Sequence, residues 1–274
     1  MHHVLFLDAV QIQHLLRRIE AVDPPAPASG RPRALSRDEA LRVTLFSFRH
    51  NLPQRAIAGL VGVSQATVCR ALAETRTALC AVLAPEAVLA GDAGAAIERL
   101  LEAAGGRPAV ILLDGTLVPV ADRHWDPVNY SGKHRRMGRS VQVLADAAGR
   151  ILHVGPPQAG RTHDARAVAE SGLLAALRAD QRLLVHADRG YSGLGLITPS
   201  ARPRGGELTL DQQSENREIS GIRNAVERSI AHIKVLSVLR TGIRTRSRDR
   251  ERVISETITA CVGLAMLRQN WAVS

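Results

Sequence analysis

Apolar positions along this chain follow two rhythms. From Leu35 to about Leu83 they recur every three or four residues, as in amphipathic helices, and the Pro-rich stretch PPAPASGRPR (24–33) separates this region from a first short helical segment. PEAVLAGDAG, from Pro85, is a second break. After Gly106 the rhythm changes. PAVILLDGTLVPV, SVQVLADAAGRILHVG and RLLVHADRG are short apolar, β-branched runs bounded by Gly and Asp, as buried strands are. DARAVAESGLLAALRAD (164–180), between the second and third runs, has helical spacing. A Pro/Gly-rich loop from Pro199 to Gly206 then leads into a long helix containing GIRNAVERSIAHIK (221–234). On the helical period of roughly 3.6 residues, Ile222, Val226 and Ile233 form an apolar stripe, and Arg223, Glu227, Ile230 and Lys234 share the adjoining one. The pattern predicts an all-α N-terminal region over 1–90 and an α/β domain over 106–274.

Within the first region, QRAIAGLVGVSQATVCRAL (54–72) has helix-turn-helix spacing, set in a module of about 35–83. Ile57, Ala58 and Val61 are expected on the inner face of one helix, with Gly62 as the left-handed turn residue. Ser64 then caps a second helix whose Val68 and Leu72 pack inward. That leaves Gln65, Thr67 and Arg70 outward, where a recognition helix presents side chains to a major groove. A plain helical hairpin shares the same turn and cap.

Composition narrows the function. The chain has 274 residues, 45% of them apolar, enough for two domains and a sizeable core. Aromatics are only 3%, which leaves little ring surface for stacking unpaired bases, so any nucleic-acid binding is electrostatic and duplex-directed. Thirty-six Lys and Arg against twenty-six Asp and Glu leave a formal charge of +10, favouring a polyanionic partner. The three cysteines, Cys69, Cys80 and Cys261, are far apart, which suits neither a disulfide framework nor a zinc ribbon and points to a reducing compartment. The N-terminal sequence lacks a basic region before its apolar run, and no window reaches bilayer length, so a cytoplasmic protein without a membrane partner is expected. No HxxxH pattern with a nearby acid suggests zinc, and no Gly-x-Ser-x-Gly elbow suggests a serine nucleophile.

Carboxylates carry the candidate chemistry. Asp114 ends the apolar run AVILLD, and Asp188 follows LLVHA in the same setting. A charge at the end of a buried strand is expensive unless it is paired or ligates a metal. With Glu227 on a following helix, two or three convergent carboxylates would offer Mg²⁺ the hard oxygen ligands it takes. Asp164 opens the DARAVAESGLL helix, where a capping or first-turn role suits it, and it competes with Asp188 as a ligand. Two basic tracts accompany them. Lys133 to Arg139, KHRRMGR, includes Lys133, Arg135 and Arg136, and from 221 to 252 nine Lys or Arg face three acids.

LLDGT (112–116), YSGKHR (130–135), GRTHDAR (160–166), HADRGY (186–191) and RNAVERSIAHIK (223–234) together resemble the DDE superfamily transposases of bacterial insertion sequences, in the Harbinger-related branch of insertion sequence family five. Arg223, Glu227 and Lys234 reproduce that family's R-E-K spacing. Its leading Tyr would fall at 220, where this chain has Ser220. The resemblance spans essentially the whole chain and implies an RNase H-like catalytic domain behind a helix-turn-helix, with Asp114, Asp188 and Glu227 as the catalytic, metal-binding triad. It further implies Mg²⁺, replaceable by Mn²⁺, as a pair of ions, and a homo-oligomer on double-stranded DNA at terminal inverted repeats and a target site in the bacterial nucleoid. Arg223 and Lys234 would hold flanking phosphates. The expected reaction is metal-dependent DNA cleavage followed by 3′-OH attack on target DNA. A regulator that keeps the fold but cuts nothing, and a nuclease that does not transpose, are the alternatives.

Overall fold

The computed structural model describes residues 5–24, 33–83, 93–121, 126–245 and 247–271. Most of the Pro-rich breaker and of PEAVLAGDAG lies outside them. In chain order the elements are α1 (Ala9–Val22), α2 (Arg37–His50), α3 (Gln54–Val61), α4 (Gln65–Leu83), α5 (Ala93–Ala103), β1 (Ala109–Pro119), β2 (Tyr130–Ser131), β3 (Arg136–Asp146), β4 (Ile151–Val154), β5 (Gln158–Ala159), α6 (Asp164–Glu170), α7 (Leu173–Arg178), β6 (Leu183–Ala187), α8 (Leu210–Lys234), α9 (Ser237–Thr241) and α10 (Arg250–Trp271). They form two compact units. One comprises Val88–Val118 and Asp122–His232; the other comprises Met1–Ala87, Pro119–Ala121 and Ile233–Ser274.

The first unit is α/β and built on a mixed sheet. Its strand order is β2-β3-β1-β6, with β4 and β5 also paired to β3. β1 and β6 run parallel, from Ala109 opposite Leu183 to Leu113 opposite Ala187. β3 pairs antiparallel with β2, β5 and β4 along its length. The run expected as a single strand over 140–155 is a hairpin instead. Asp146 makes its turn by accepting hydrogen bonds from the N–H groups of Ala148 (3.0 Å) and Arg150 (2.8 Å). The helix expected over 164–180 breaks at Ser171 and Gly172 into α6 and α7.

Alternation along the strands sends Ile111, Leu113 and Val185 into a core with Leu101, Val168 and Leu177, so α5, α6 and α7 cover that face. α8 runs by the opposite face. Ala225, Val226 and Ser229 are buried there, and the Ser229 hydroxyl donates to the Gly149 carbonyl at 2.7 Å.

The second unit is helical and does not follow the sequence-based boundaries. Helix α10, expected with the sheet, packs on α4. All residues from Ala260 to Leu267 are buried, so this helix has no solvent face over two turns and needs partners all round. Arg76 and Glu256, only 15% and 12% exposed, join α4 to α10 through an ion pair of 3.0 Å. Asn51, closing α2, donates to the Thr241 hydroxyl at 2.6 Å and the Gly242 carbonyl at 2.9 Å.

α3 and α4 meet at 105° across three residues. Gly62 is left-handed (φ 74°), and Ser64 Oγ accepts from the N–H of Thr67 at 3.1 Å, as expected. Ile57, Ala58, Val68 and Leu72 are buried in one cluster. Val61 is not; it is 40% exposed, and Val63, past the turn, packs there instead. The left-handed residue reverses the chain direction, so the inward position falls after it rather than before. Among the described residues no single helix is long and apolar enough to cross a membrane.

Candidate active site

The parallel ladder between β1 and β6 stops at Leu113 and Ala187, so Asp114 and Asp188 are the next residues on neighbouring strands. Asp114 does not end its strand as expected; β1 continues for five residues beyond it, to Pro119. What ends at Asp114 is the partner strand. Asp188 turns the chain by accepting a hydrogen bond from the Gly190 N–H at 2.7 Å. Asp114 accepts one from the Gly115 N–H at 2.8 Å.

Asp164 joins them. It is the first residue of α6, with His163 at the cap position making no side-chain capping bond. A Cβ added at Gly115 would lie 2.5 Å from Asp164 Oδ1 and 3.0 Å from the Tyr191 hydroxyl. One added at Gly190 would lie 2.9 Å from Asp188 Oδ1 and 3.6 Å from Asp164 Oδ2. Glycine at 115 therefore lets the α6 carboxylate approach the strand. Asp164 and Asp188, the expected competitors, both sit beside Asp114.

Two cations face this group. Arg223 Nη2 lies 3.9 Å from Asp114 Oδ2, with side chains 14% and 18% exposed. Lys133 Nζ lies 3.4 Å from Asp164 Oδ2, and the lysine is 63% exposed. Burial pushes the Asp114 carboxyl up to about 6; the Arg223 cation and the Gly115 N–H oppose the rise, and the Asp188 and Asp164 charges add to it. Tyr191 lies beneath, fully buried, donating its hydroxyl hydrogen bond to Gln142 Oε1. Its phenol is pushed far up by burial first and then by the charges of Asp164, Asp114 and Asp188. Gln142 was not singled out from the sequence, although a lone amide inside the apolar run SVQVLAD is the signal that marks it.

Glu227 lies on the same helix as Arg223. It is exposed on α8, one turn beyond Arg223, and Arg223 is the residue of that helix that reaches Asp114. Arg223, expected to hold phosphates, thus points inward. Among the described residues no three His, Cys, Asp or Glu side chains are grouped closely enough to hold a metal ion. The donors are nonetheless hard carboxylate oxygens already attended by two cations, and that chemistry fits a divalent cation.

Of the other candidate DNA contacts, Gln65, Arg70, Lys133, Arg135 and Arg136 are exposed. Thr67 is half-buried, its hydroxyl 2.9 Å from that of Ser64. Lys234, the last residue of α8, is half-buried. The basic tracts are not wholly outward. Arg139 is 9% exposed within β3, Arg252 pairs with Glu256 at 2.8 Å, and Arg244 donates to the Asn51 carbonyl.

Residues 113–265 match the sequence family described as DDE superfamily endonuclease. The putative transposase for insertion sequence element IS112 of Streptomyces albus G is 34% identical over 229 residues, covering 82% of this chain and 78% of the relative. The probable transposase for insertion sequence element IS702 of Microchaete diplosiphon is 31% identical over 125 residues, covering 43% of this chain and 44% of the relative. Among solved structures, the pre-cleavage Mos1 transpososome overlaps 78% of this chain and 84% of its own at 12% identity, with a TM-score of 0.22. The Mos1 transposase paired-end complex with left transposon end overlaps 82% and 88% at 13% identity, with the same TM-score of 0.22.

Proposed function

The chain belongs to the DDE superfamily endonucleases, and from that membership we propose that it is a DNA transposase whose sheet unit is an RNase H-like nuclease. The observation that carries the reading is the side-by-side emergence of Asp114 and Asp188 where the β1–β6 ladder ends. The order β4-β3-β1-β6, with β1 and β6 parallel, supports the RNase H-like assignment.

Asp114 and Asp188, joined by Glu227 on α8, would hold Mg²⁺, with Mn²⁺ as a substitute and two ions as the full complement. When bound, the ions supply Lewis acidity toward phosphate oxygens and a lowered pKa for attacking water. The protein's part is positioning and charge. The partly buried carboxylates keep the ligand oxygens in place, and Arg223 limits their mutual repulsion at Asp114. Water attacks phosphorus at the element's end and the 3′ oxygen leaves as a hydroxyl. That hydroxyl then attacks a target phosphodiester at the same centre, its oxygen bonding to phosphorus as the target strand's own P–O3′ bond breaks and that 3′ oxygen leaves as a hydroxyl, so no covalent protein intermediate forms.

Lys133, Arg135, Arg136 and Lys234 would contact phosphates, and Gln65, Thr67 and Arg70 would read the terminal inverted repeats as a helix-turn-helix does. The assembly acting on the two DNA ends would be a homo-oligomer.

The test is divalent-cation-dependent cleavage of duplex DNA carrying the element's terminal repeats. Asp114→Ala, Asp188→Ala and Glu227→Ala should each lower the rate by at least about 10³-fold, as loss of a metal site does, while repeat binding persists. If Asp188→Ala or Glu227→Ala cuts as well as the parent while Asp164→Ala is dead, the ligand set is wrong. If none of these changes matters, the nuclease reading fails and a DNA-binding regulator is left.

A further inference from the structure

Resting on the proposed metal site, we propose that Lys133 is an exchangeable latch on Asp164: a DNA phosphate draws it away, and the uncovered carboxylate then favours the divalent cation, so metal and DNA bind cooperatively. Lys133 acts here as a positioning residue, through Asp164 and the phosphate.

The two cations on the carboxylate group are not alike. Arg223 is 14% exposed and its Nε is buried, so it is built into the site. Lys133 is 63% exposed, carried by the Gly132–Arg136 loop in which every residue is exposed, and its Nζ stands 3.4 Å from the carboxylate. An exposed pair at that distance is weak and easily exchanged. The two partners then fare differently once parted. Lys133 in solvent, or on a phosphate, keeps its hydration or gains a new anion. Asp164, 18% exposed and beside Asp114 and Asp188, is left in a group with one positive charge fewer. Its negative potential rises, which favours a small divalent cation. The same loop carries Arg135 and Arg136, both exposed, so the phosphate that takes Lys133 meets further positive charge.

Reciprocity follows from thermodynamics. If DNA tightens metal binding through Lys133, metal must tighten DNA binding by the same factor. An exposed ion pair sets that factor at about fivefold or less.

The experiment measures Mn²⁺ affinity of the full chain by electron paramagnetic resonance of free Mn²⁺. It is run alone and with saturating short duplex DNA of arbitrary sequence at low salt, with duplex alone as the blank. In the parent, DNA should tighten Mn²⁺ by about three- to fivefold. Lys133→Gln should bind Mn²⁺ tighter by a similar factor without DNA, and DNA should then add nothing. Lys133→Arg, which keeps the charge, should behave as the parent, and Asp164→Asn should lose the coupling.

Unchanged DNA-free affinity in Lys133→Gln, together with parental tightening by DNA, overturns the latch. If instead Asp114→Asn and Asp188→Asn bind Mn²⁺ like the parent, the metal site itself is misplaced and the latch falls with it.

Discussion

In the proposed site, Asp114 concentrates the chemistry in one residue. Its carboxyl is buried at the end of a ladder and pushed by that burial up to about 6 from an ordinary 3.8, which amounts to about 3 kcal/mol between the two protonation states. The sign follows from linkage. A carboxyl with a raised folded pKa stabilises the fold fully below its unfolded value, and that stability is lost as pH rises through the folded value. In chelator-treated protein, Asp114→Asn should therefore gain stability relative to the parent by up to about 3 kcal/mol on going from about pH 4 to about pH 7. Denaturant titrations at several pH values read this directly; a gap that does not change with pH contradicts it. Asp114 and Asp188 were legible because a charge placed straight after an unbroken apolar run is costly unless it is paired or meets a cation. The closeness of Asp164 was not. Nothing in GRTHDAR tells a first-turn charge from one aimed across at Gly115, since that approach depends on a missing side chain on another strand.

Elements show where periodicity suffices and where it does not. The α3 to α4 turn was readable down to its glycine and serine, because caps and left-handed residues act within a few positions. Helix α8 was readable only from about Gly221. Its first eleven residues, Leu210 to Ser220, are largely polar, and it starts where Thr209 and Gln212 cap each other, Gln212 N–H to Thr209 Oγ1 at 3.2 Å and Thr209 N–H to Gln212 Oε1 at 3.0 Å. Glu227 shares the stripe of Arg223 by period, yet only Arg223 is turned inward; rotamer choice is invisible in spacing. The α4 to α10 contact carries its own prediction. Glu256→Ala would leave Arg76 mostly buried without its carboxylate, which should destabilise the helical unit by about 3 kcal/mol. Thermal or chemical denaturation measures it; a change below about 0.5 kcal/mol would mean that apolar packing alone joins the helices.

At the scale of the whole molecule, the chain leaves the helical unit after Ala87 to build the sheet unit, belongs to the helical unit again at Pro119–Ala121, and returns to it at Ile233. TITACVGLAML is assigned to no element from the sequence; apolar residues all round its axis are the pattern of a core helix. That pattern does not show whose core, since any apolar face would serve and the choice is made by shape. The interleaving gives the helical unit sequence from both sides of the nuclease segment, and the family match at 113–265 likewise runs across that division into α10. Positive charge over both units suits a DNA substrate, and family membership makes that substrate one to be cut and joined. The central claim is that one carboxylate site does both. Its most direct measurement is the sequencing of junctions formed when terminal-repeat DNA, divalent cation and a target plasmid are incubated with the protein. The account predicts element 3′ ends joined to target DNA, with Asp114→Asn abolishing cleavage and joining together. Cut ends that never join, or joining that survives Asp114→Asn, would contradict it.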